Sequence, residues 1–169
     1  MMTLDKYLSS IDTKTKEVIY LSVGEIISEK FYSNLPKYNG YRKTNGSVLH
    51  TRLGFTNDQV FCKYIETPDY YVRLCGTPDR IAYENGVLYV DELKTTSYKD
   101  ITFSKTVGEY QLQFYMFLTG IHNGRVYVYQ TTEKKLYEFP VKYDEKLVLQ
   151  TLEDYLQVYE ARRKFRKNH

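Results

Sequence analysis

Apolar and polar positions follow two different periods along this chain, and the switch between them outlines the fold. In residues 22–35, SVGEIISEKFYSNL, Ile26, Ile27, Lys30 and Phe31 recur at helical spacing. Ser22 and Glu25 have the spacing of a capping box, so a helix is expected over 22–35. The start, residues 1–20, is polar and fits neither period. After a loop, PKYNGYRKTNG, residues 47–53 (SVLHTRL) suggest a short helix carrying His50. From 70 to 94 the pattern becomes that of strands, with β-branched and aromatic residues on both sides of Asn85-Gly86. That dipeptide is a strong hairpin signal, because a type I′ turn needs positive φ at both central residues.

Residues 105–120 (KTVGEYQLQFYMFLTG) return to helical spacing and end near Gly120. Residues 124–130 and 135–142 predict a second hairpin around Thr131–Lys134. From 144 to about 165, Val148, Leu152, Tyr155, Leu156 and Tyr159 make one helical stripe. The order helix, strands, helix, strands, helix predicts an α/β (α+β) fold in which helices cover a central mixed sheet. With 169 residues and no linker-like tract, one domain over 1–169 is expected.

Composition narrows the class. There are 24 Lys and Arg against 21 Asp and Glu, a net charge of +3, which argues against a protein that binds by bulk charge alone. A 27% charged and 42% hydrophobic content is that of a globular chain. The 19 tyrosines, with no Trp, fit many half-buried amphipathic positions. Cys62 and Cys75 lack metal-ligand spacing, and no Cys follows them, so neither a structural zinc nor an iron–sulfur cluster is expected. Their simplest expected role is that of small buried hydrophobes. No apolar run reaches the roughly 20 residues of a membrane span, and the N-terminus has no signal-peptide core. A soluble, intracellular (cytoplasmic) protein without a membrane partner is expected.

The candidate chemistry lies in the first hairpin. Reflection about Asn85-Gly86 sets Glu84 opposite Val87, Ala82 opposite Tyr89 and Asp79 opposite Glu92. Opposed carboxylates share a face and repel unless a cation lies between them. Alternation puts Glu92 and Lys94 on one face and turns Asp91 and Leu93 to the other. Paired carboxylates suit Mg2+ or Mn2+, which can polarise a phosphate and acidify a bound water. A lysine two residues on can orient the attacking water or stabilise developing charge. The triplet alone says little. Acidic-x-Lys also occurs at Asp12-Thr13-Lys14, Glu133-Lys134-Lys135 and Asp144-Glu145-Lys146, where a solvated surface is the plainer reading.

The wider constellation is more specific. Gly46-Ser47-Val48-Leu49-His50, Gly76-Thr77-Pro78-Asp79, Glu92-Leu93-Lys94 and Gln111-Leu112-Gln113-Phe114-Tyr115 stand in that order within residues 46–115. This series resembles the P-D-(D/E)-x-K nuclease superfamily, and within it the RecB-like branch that includes the CRISPR-adaptation exonucleases. The resemblance implies a restriction-endonuclease-like core and metal-dependent hydrolysis of DNA phosphodiesters, as an exonuclease. It implies that His50, Asp79, Glu92 and the Leu93 carbonyl ligate Mg2+ or Mn2+, and that Lys94 is the catalytic lysine. Gln111 and Tyr115 share a helix face and would order the site or touch the substrate strand. Singly, His50 reads as an ordinary helix histidine and Tyr115 as a core aromatic. Those relatives usually carry four cluster cysteines, three near the C-terminus, which this chain lacks. A cluster-free member, or a small viral or mobile-element nuclease, is therefore implied.

The tail segment Arg162-Arg163-Lys164-Phe165-Arg166-Lys167 could contact phosphates or simply end a solvated helix. Arg42, Lys43, Arg52, Arg73, Arg80 and Lys105 lie near the motifs and are candidates to line a cleft. Two other functions stay open: a structure-selective DNA endonuclease, and a silent nucleic-acid or protein-binding module on a nuclease fold. Self-association and protein partners are not fixed by the sequence.

Overall fold

A computed structural model describes residues 16–33 and 43–169, with the side chains of 43–47 left out. The elements run β1 (Glu17–Ser22), α1 (Val23–Tyr32), α2 (Lys43–Arg52), β2 (Phe61–Glu66), β3 (Tyr70–Gly76), β4 (Arg80–Glu84), β5 (Val87–Thr96), α3 (Thr102–Thr119), β6 (Asn123–Gln130), β7 (Lys135–Lys142) and α4 (Glu145–Asn168). The expected α+β class holds. So does the mixed sheet flanked by helices, with its strands paired in two ladders, β1-β3-β2 and β4-β5-β6-β7. In the first, β1 is parallel and β2 antiparallel to β3. In the second, only the β5–β6 pairing, bridged by α3, is parallel.

The break falls at Thr77-Pro78-Asp79, between the end of β3 and the start of β4. Pro78 has no N–H to donate to a ladder, so pairing is interrupted there. The chain thus leaves one ladder and enters the other at the residue that begins the candidate site.

Local signals behave as the sequence predicts. Ser22 caps α1, accepting the Glu25 amide at 3.1 Å, while its hydroxyl donates to Glu25 Oε1 at 3.2 Å. Asn85 and Gly86 take φ values of 52° and 80°, and the register is the reflected one, Glu84 with Val87 and Arg80 with Asp91. Asp144 caps α4 through the Leu147 amide at 3.3 Å. Helix α2 begins earlier than the expected 47–53, and residues 34–35 of the first predicted helix lie outside the described residues.

The core lies between one face of both ladders and helices α1, α3 and α4. It joins Ile19, Leu21, Val72 and Leu74 to Ile26, Phe114, Met116, Val126 and Leu152. A smaller cluster, Phe55, Leu93 and Tyr127, includes the residue that ends the α2 turn. Gly76 and Gly108 mark tight approaches to this core. A Cβ on Gly76 would stand 2.8 Å from a Tyr115 ring carbon, and one on Gly108 would stand 3.2 Å from Lys94 Cγ.

One expectation is corrected. Cys62 and Cys75 are not buried thiols: they are register partners on β2 and β3, with Cα atoms 4.1 Å apart, joined in a disulfide. Cys62 is exposed and Cys75 half-buried. The missed strand β2 is the reason, since only its pairing brings two cysteines 13 positions apart side by side. No helix among the described residues is long and apolar enough to cross a membrane.

Candidate active site

The seam between the ladders gathers side chains from four elements. Asp79 precedes β4, Glu92, Leu93 and Lys94 lie on β5, His50 on α2, and Gln111 and Tyr115 on α3. The turn bearing Asp79 is fixed from both sides. Asn57 Nδ2 donates to the Pro78 carbonyl at 2.9 Å, and Asp79 Oδ2 accepts the Leu93 amide at 2.8 Å. His50 Nε2 lies 3.1 Å from the Leu93 carbonyl and 3.5 Å from Asp79 Oδ2. With its proton on Nε2, the ring donates to that carbonyl.

Glu92 is 2% exposed, and its Oε2 has no hydrogen-bond partner. Its other oxygen, Oε1, is 3.5 Å from Lys94 Nζ. Lys94 Nζ also donates to Gln111 Oε1, and Gln111 Nε2 donates to the Tyr115 hydroxyl at 3.0 Å. A continuous polar chain therefore runs Glu92–Lys94–Gln111–Tyr115. The helical spacing of Gln111 and Tyr115 places both on one face of α3, where the sequence put them.

The two carboxyl groups are pushed in opposite directions. Burial and then the neighbouring Asp79 charge hold Glu92 well above the ordinary carboxylate range. Burial acts upward on Asp79 too, but the nearby His50 and Glu92 side chains and the hydrogen bond from the Leu93 amide outweigh it and leave Asp79 below that range. Without a cation, Glu92 is the member of the pair that keeps a proton. Burial, followed by the Glu92 charge, raises Tyr115 well above its usual value, so it acts as a neutral phenol.

Among the described residues no three His, Cys, Asp or Glu side chains stand as a formed metal cage. The donor set nevertheless has the chemistry of a hard cation site. It offers a carboxylate, a second carboxyl with an orphaned buried oxygen, a carbonyl oxygen and an imidazole nitrogen.

Other candidates lie elsewhere. Asp91 faces away, as alternation requires, and Arg80 goes with it: Arg80 Nε donates to Asp91 Oδ2 at 2.8 Å, so Arg80 does not line the Glu92 side. Arg73 reaches over the Tyr20 ring. Lys105 pairs with Glu109 and lies over Phe139. Arg42 lies outside the described residues, as does the side chain of Lys43.

The basic tail is not at the site. Arg163 pairs with Glu17 and Arg162 with Glu29, while Tyr159 packs edge-on against Tyr70. Glu17 and Tyr70 are register partners at the starts of β1 and β3, whereas the seam follows the other end of β3. At about 3.3 Å per residue that is roughly 20 Å of strand. Lys164, Arg166 and Lys167 are exposed on the same helix end.

Sequence reasoning missed Asn57, whose only signal was an Asn in a loop, and Gln113. Gln113 is buried, donates to the Lys142 carbonyl at 2.7 Å and accepts the Asp144 amide at 2.8 Å, tying α3 to the start of α4. It also missed Arg125, which no local pattern distinguishes.

This arrangement defines a class of protein. The chain belongs to the PD-(D/E)XK nuclease superfamily, whose family model matches residues 24–168. Among solved structures it is similar to SSO0001, at 21% identity and a TM-score of 0.62 over 92% of this chain and 82% of that one. It is also similar to an alkaline exonuclease (LHK-Exo) from Laribacter hongkongensis, at 12% identity and a TM-score of 0.48 over 99% and 86% of the two chains. The first likeness shows a shared fold. No curated protein matches the sequence.

Proposed function

We propose that this member of the nuclease superfamily is a divalent-metal-dependent deoxyribonuclease that works as an exonuclease. His50, Asp79, Glu92 and the Leu93 carbonyl would hold Mg2+ or Mn2+. The single observation that supports this best is the buried, partnerless Glu92 Oε2 beside Asp79. A buried carboxyl oxygen left without a partner beside a second carboxylate is costly in a protein interior unless a proton or a cation joins the pair. Exonuclease action follows from the motif series with its helix histidine and Gln111/Tyr115 pair.

When bound, the ion supplies Lewis acidity toward a phosphate oxygen and lowers the pKa of a water. The chain's own residues do the rest. Lys94 Nζ, held between Glu92 Oε1 and Gln111 Oε1, donates hydrogen bonds toward the reacting phosphate and orients the attacking water. Gln111 fixes the ammonium, and Tyr115, a neutral phenol, accepts from Gln111 and keeps its own O–H to donate. His50 would hold the ion through Nε2 with its proton on Nδ1, a tautomer in which Nε2 no longer donates to the Leu93 carbonyl. Glu92 must also release its proton, which makes ion uptake weaker in acid.

End-labelled linear, nicked-free circular and branched DNA should be digested side by side with Mg2+, Mn2+ or EDTA. The expected result is loss of label from linear ends with either ion, none in EDTA, and an intact circle. Cleavage of the circle at the rate of the linear form would make the enzyme an endonuclease. Cleavage in EDTA would refute metal dependence.

A further inference from the structure

Behind the Asp79–Glu92 pair, on the opposite face of the same strands, lies a charged cluster that the proposed chemistry does not use. Asp91 is 0% exposed. Arg125 Nε donates to its Oδ1 at 2.8 Å and Arg125 Nη2 to its Oδ2 at 3.0 Å, while Arg80 Nε donates to Oδ2 at 2.8 Å. The three residues form one row across β4, β5 and β6, since Asp91 is the register partner of both arginines. Each guanidinium is also stacked: Arg80 lies 4.0 Å over the Phe55 ring and Arg125 lies 3.9 Å over Tyr89. Arg125 reaches on to Glu84 Oε2 at 2.8 Å.

A buried carboxylate held by the two-nitrogen fork of Arg125 and by a single Nε–H of Arg80 is directional in a way that apolar packing is not. Its position along the chain gives that direction a use. Arg80 immediately follows Asp79, and Asp91 immediately precedes Glu92. Neighbouring strand residues point to opposite faces on a shared backbone, so fixing the rear pair fixes where the front pair stands. Tying Arg80 to Asp91 therefore fixes the separation of the two backbone positions that carry Asp79 and Glu92.

We propose that Arg80, Asp91 and Arg125 are positioning residues, a clamp that sets the Asp79–Glu92 spacing to suit a divalent ion. This rests on the metal-dependent reading above. It is tested by calorimetric titration of Mn2+ into the full chain, as wild type, Glu92→Ala, Asp91→Asn and Arg125→Lys, with melting temperatures in EDTA recorded beside it. Wild type is expected to bind Mn2+ and Glu92→Ala to lose binding. Asp91→Asn and Arg125→Lys are expected to bind about tenfold more weakly or worse, the usual effect of disturbing groups that orient metal ligands. Excess Mn2+ should recover their cleavage. If Asp91→Asn does not fold, Arg125→Lys and Arg80→Lys carry the test, since each keeps its charge and loses only the planar guanidinium that orients its bonds to Asp91. A wild type that takes up no Mn2+ overturns the metal-dependent reading itself. A wild type that binds, with folded Arg125→Lys binding equally tightly, overturns the clamp alone.

Discussion

Glu92 carries the tension of this molecule. Its carboxyl is buried against Asp79 and raised well above the usual value of 4.5, so its proton is bound more tightly folded than unfolded. The stability it supplies is therefore present below about pH 4.5 and is lost as pH rises through the folded value. Glu92→Gln keeps the shape and removes the charge. In EDTA at pH 8 this variant is expected to melt a few degrees above wild type, with the gap closing toward pH 4, while it no longer cuts DNA. Equal melting curves at both pH values would mean that the two carboxyl groups do not strain the fold. This residue pair was legible in the sequence. An Asn-Gly turn fixes the register that ends at Arg80 opposite Asp91, and its continuation by one residue sets Asp79 toward Glu92. The unpaired state of Oε2 was not legible, because it depends on α3 closing over β5. The partners of Asp91 were also hidden. Alternation turned Asp91 away from the site, but Arg125 lies 34 positions further on, across a parallel pairing that no local pattern announces.

At the scale of elements, the hairpins and long helices were readable because their signals are local: a capping serine at 22, a type I′ turn at 85–86, a left-handed Gly120 closing α3. Strands β1 and β2 were not readable. Each has six residues and pairs only with β3, β1 by a parallel ladder that spans 53 positions of sequence, and tertiary pairing supplies what propensity lacks. The cost of missing β2 was the disulfide. The Cys62–Cys75 bridge closes a loop of 13 positions, and a loop of that size stabilises the fold by about 3 kcal/mol in the chain-entropy account. Reduction with dithiothreitol is expected to lower the melting temperature clearly, and to leave cleavage unchanged well below the transition, because the bridge lies outside the Glu92–Lys94–Gln111 chain. An unchanged melting temperature after reduction would show that the two sulfurs are not joined.

For the whole molecule, the net charge of +3 says little because the charges are sorted by place. Asp79 and Glu92 stand at the seam, while the rear row sets one acid, Asp91, between Arg80 and Arg125. The basic residues at 162–167 end a helix at the far side of the first ladder, where two of them pair with Glu17 and Glu29. The fold class followed from the order of elements, whereas the division into two ladders followed from which strands pair across long stretches of sequence, which a count of strands does not weigh. That division is what places Asp79 at a junction where helix, turn and strand meet. The most direct test of the account is the rate of cleavage of end-labelled linear DNA in Mn2+ by wild type, Asp79→Ala, Glu92→Ala and Lys94→Ala, each confirmed folded by circular dichroism. The account predicts that each substitution slows cleavage by at least about a thousandfold, as removal of a group needed in the transition state does. Glu92→Ala cutting as fast as wild type would contradict it.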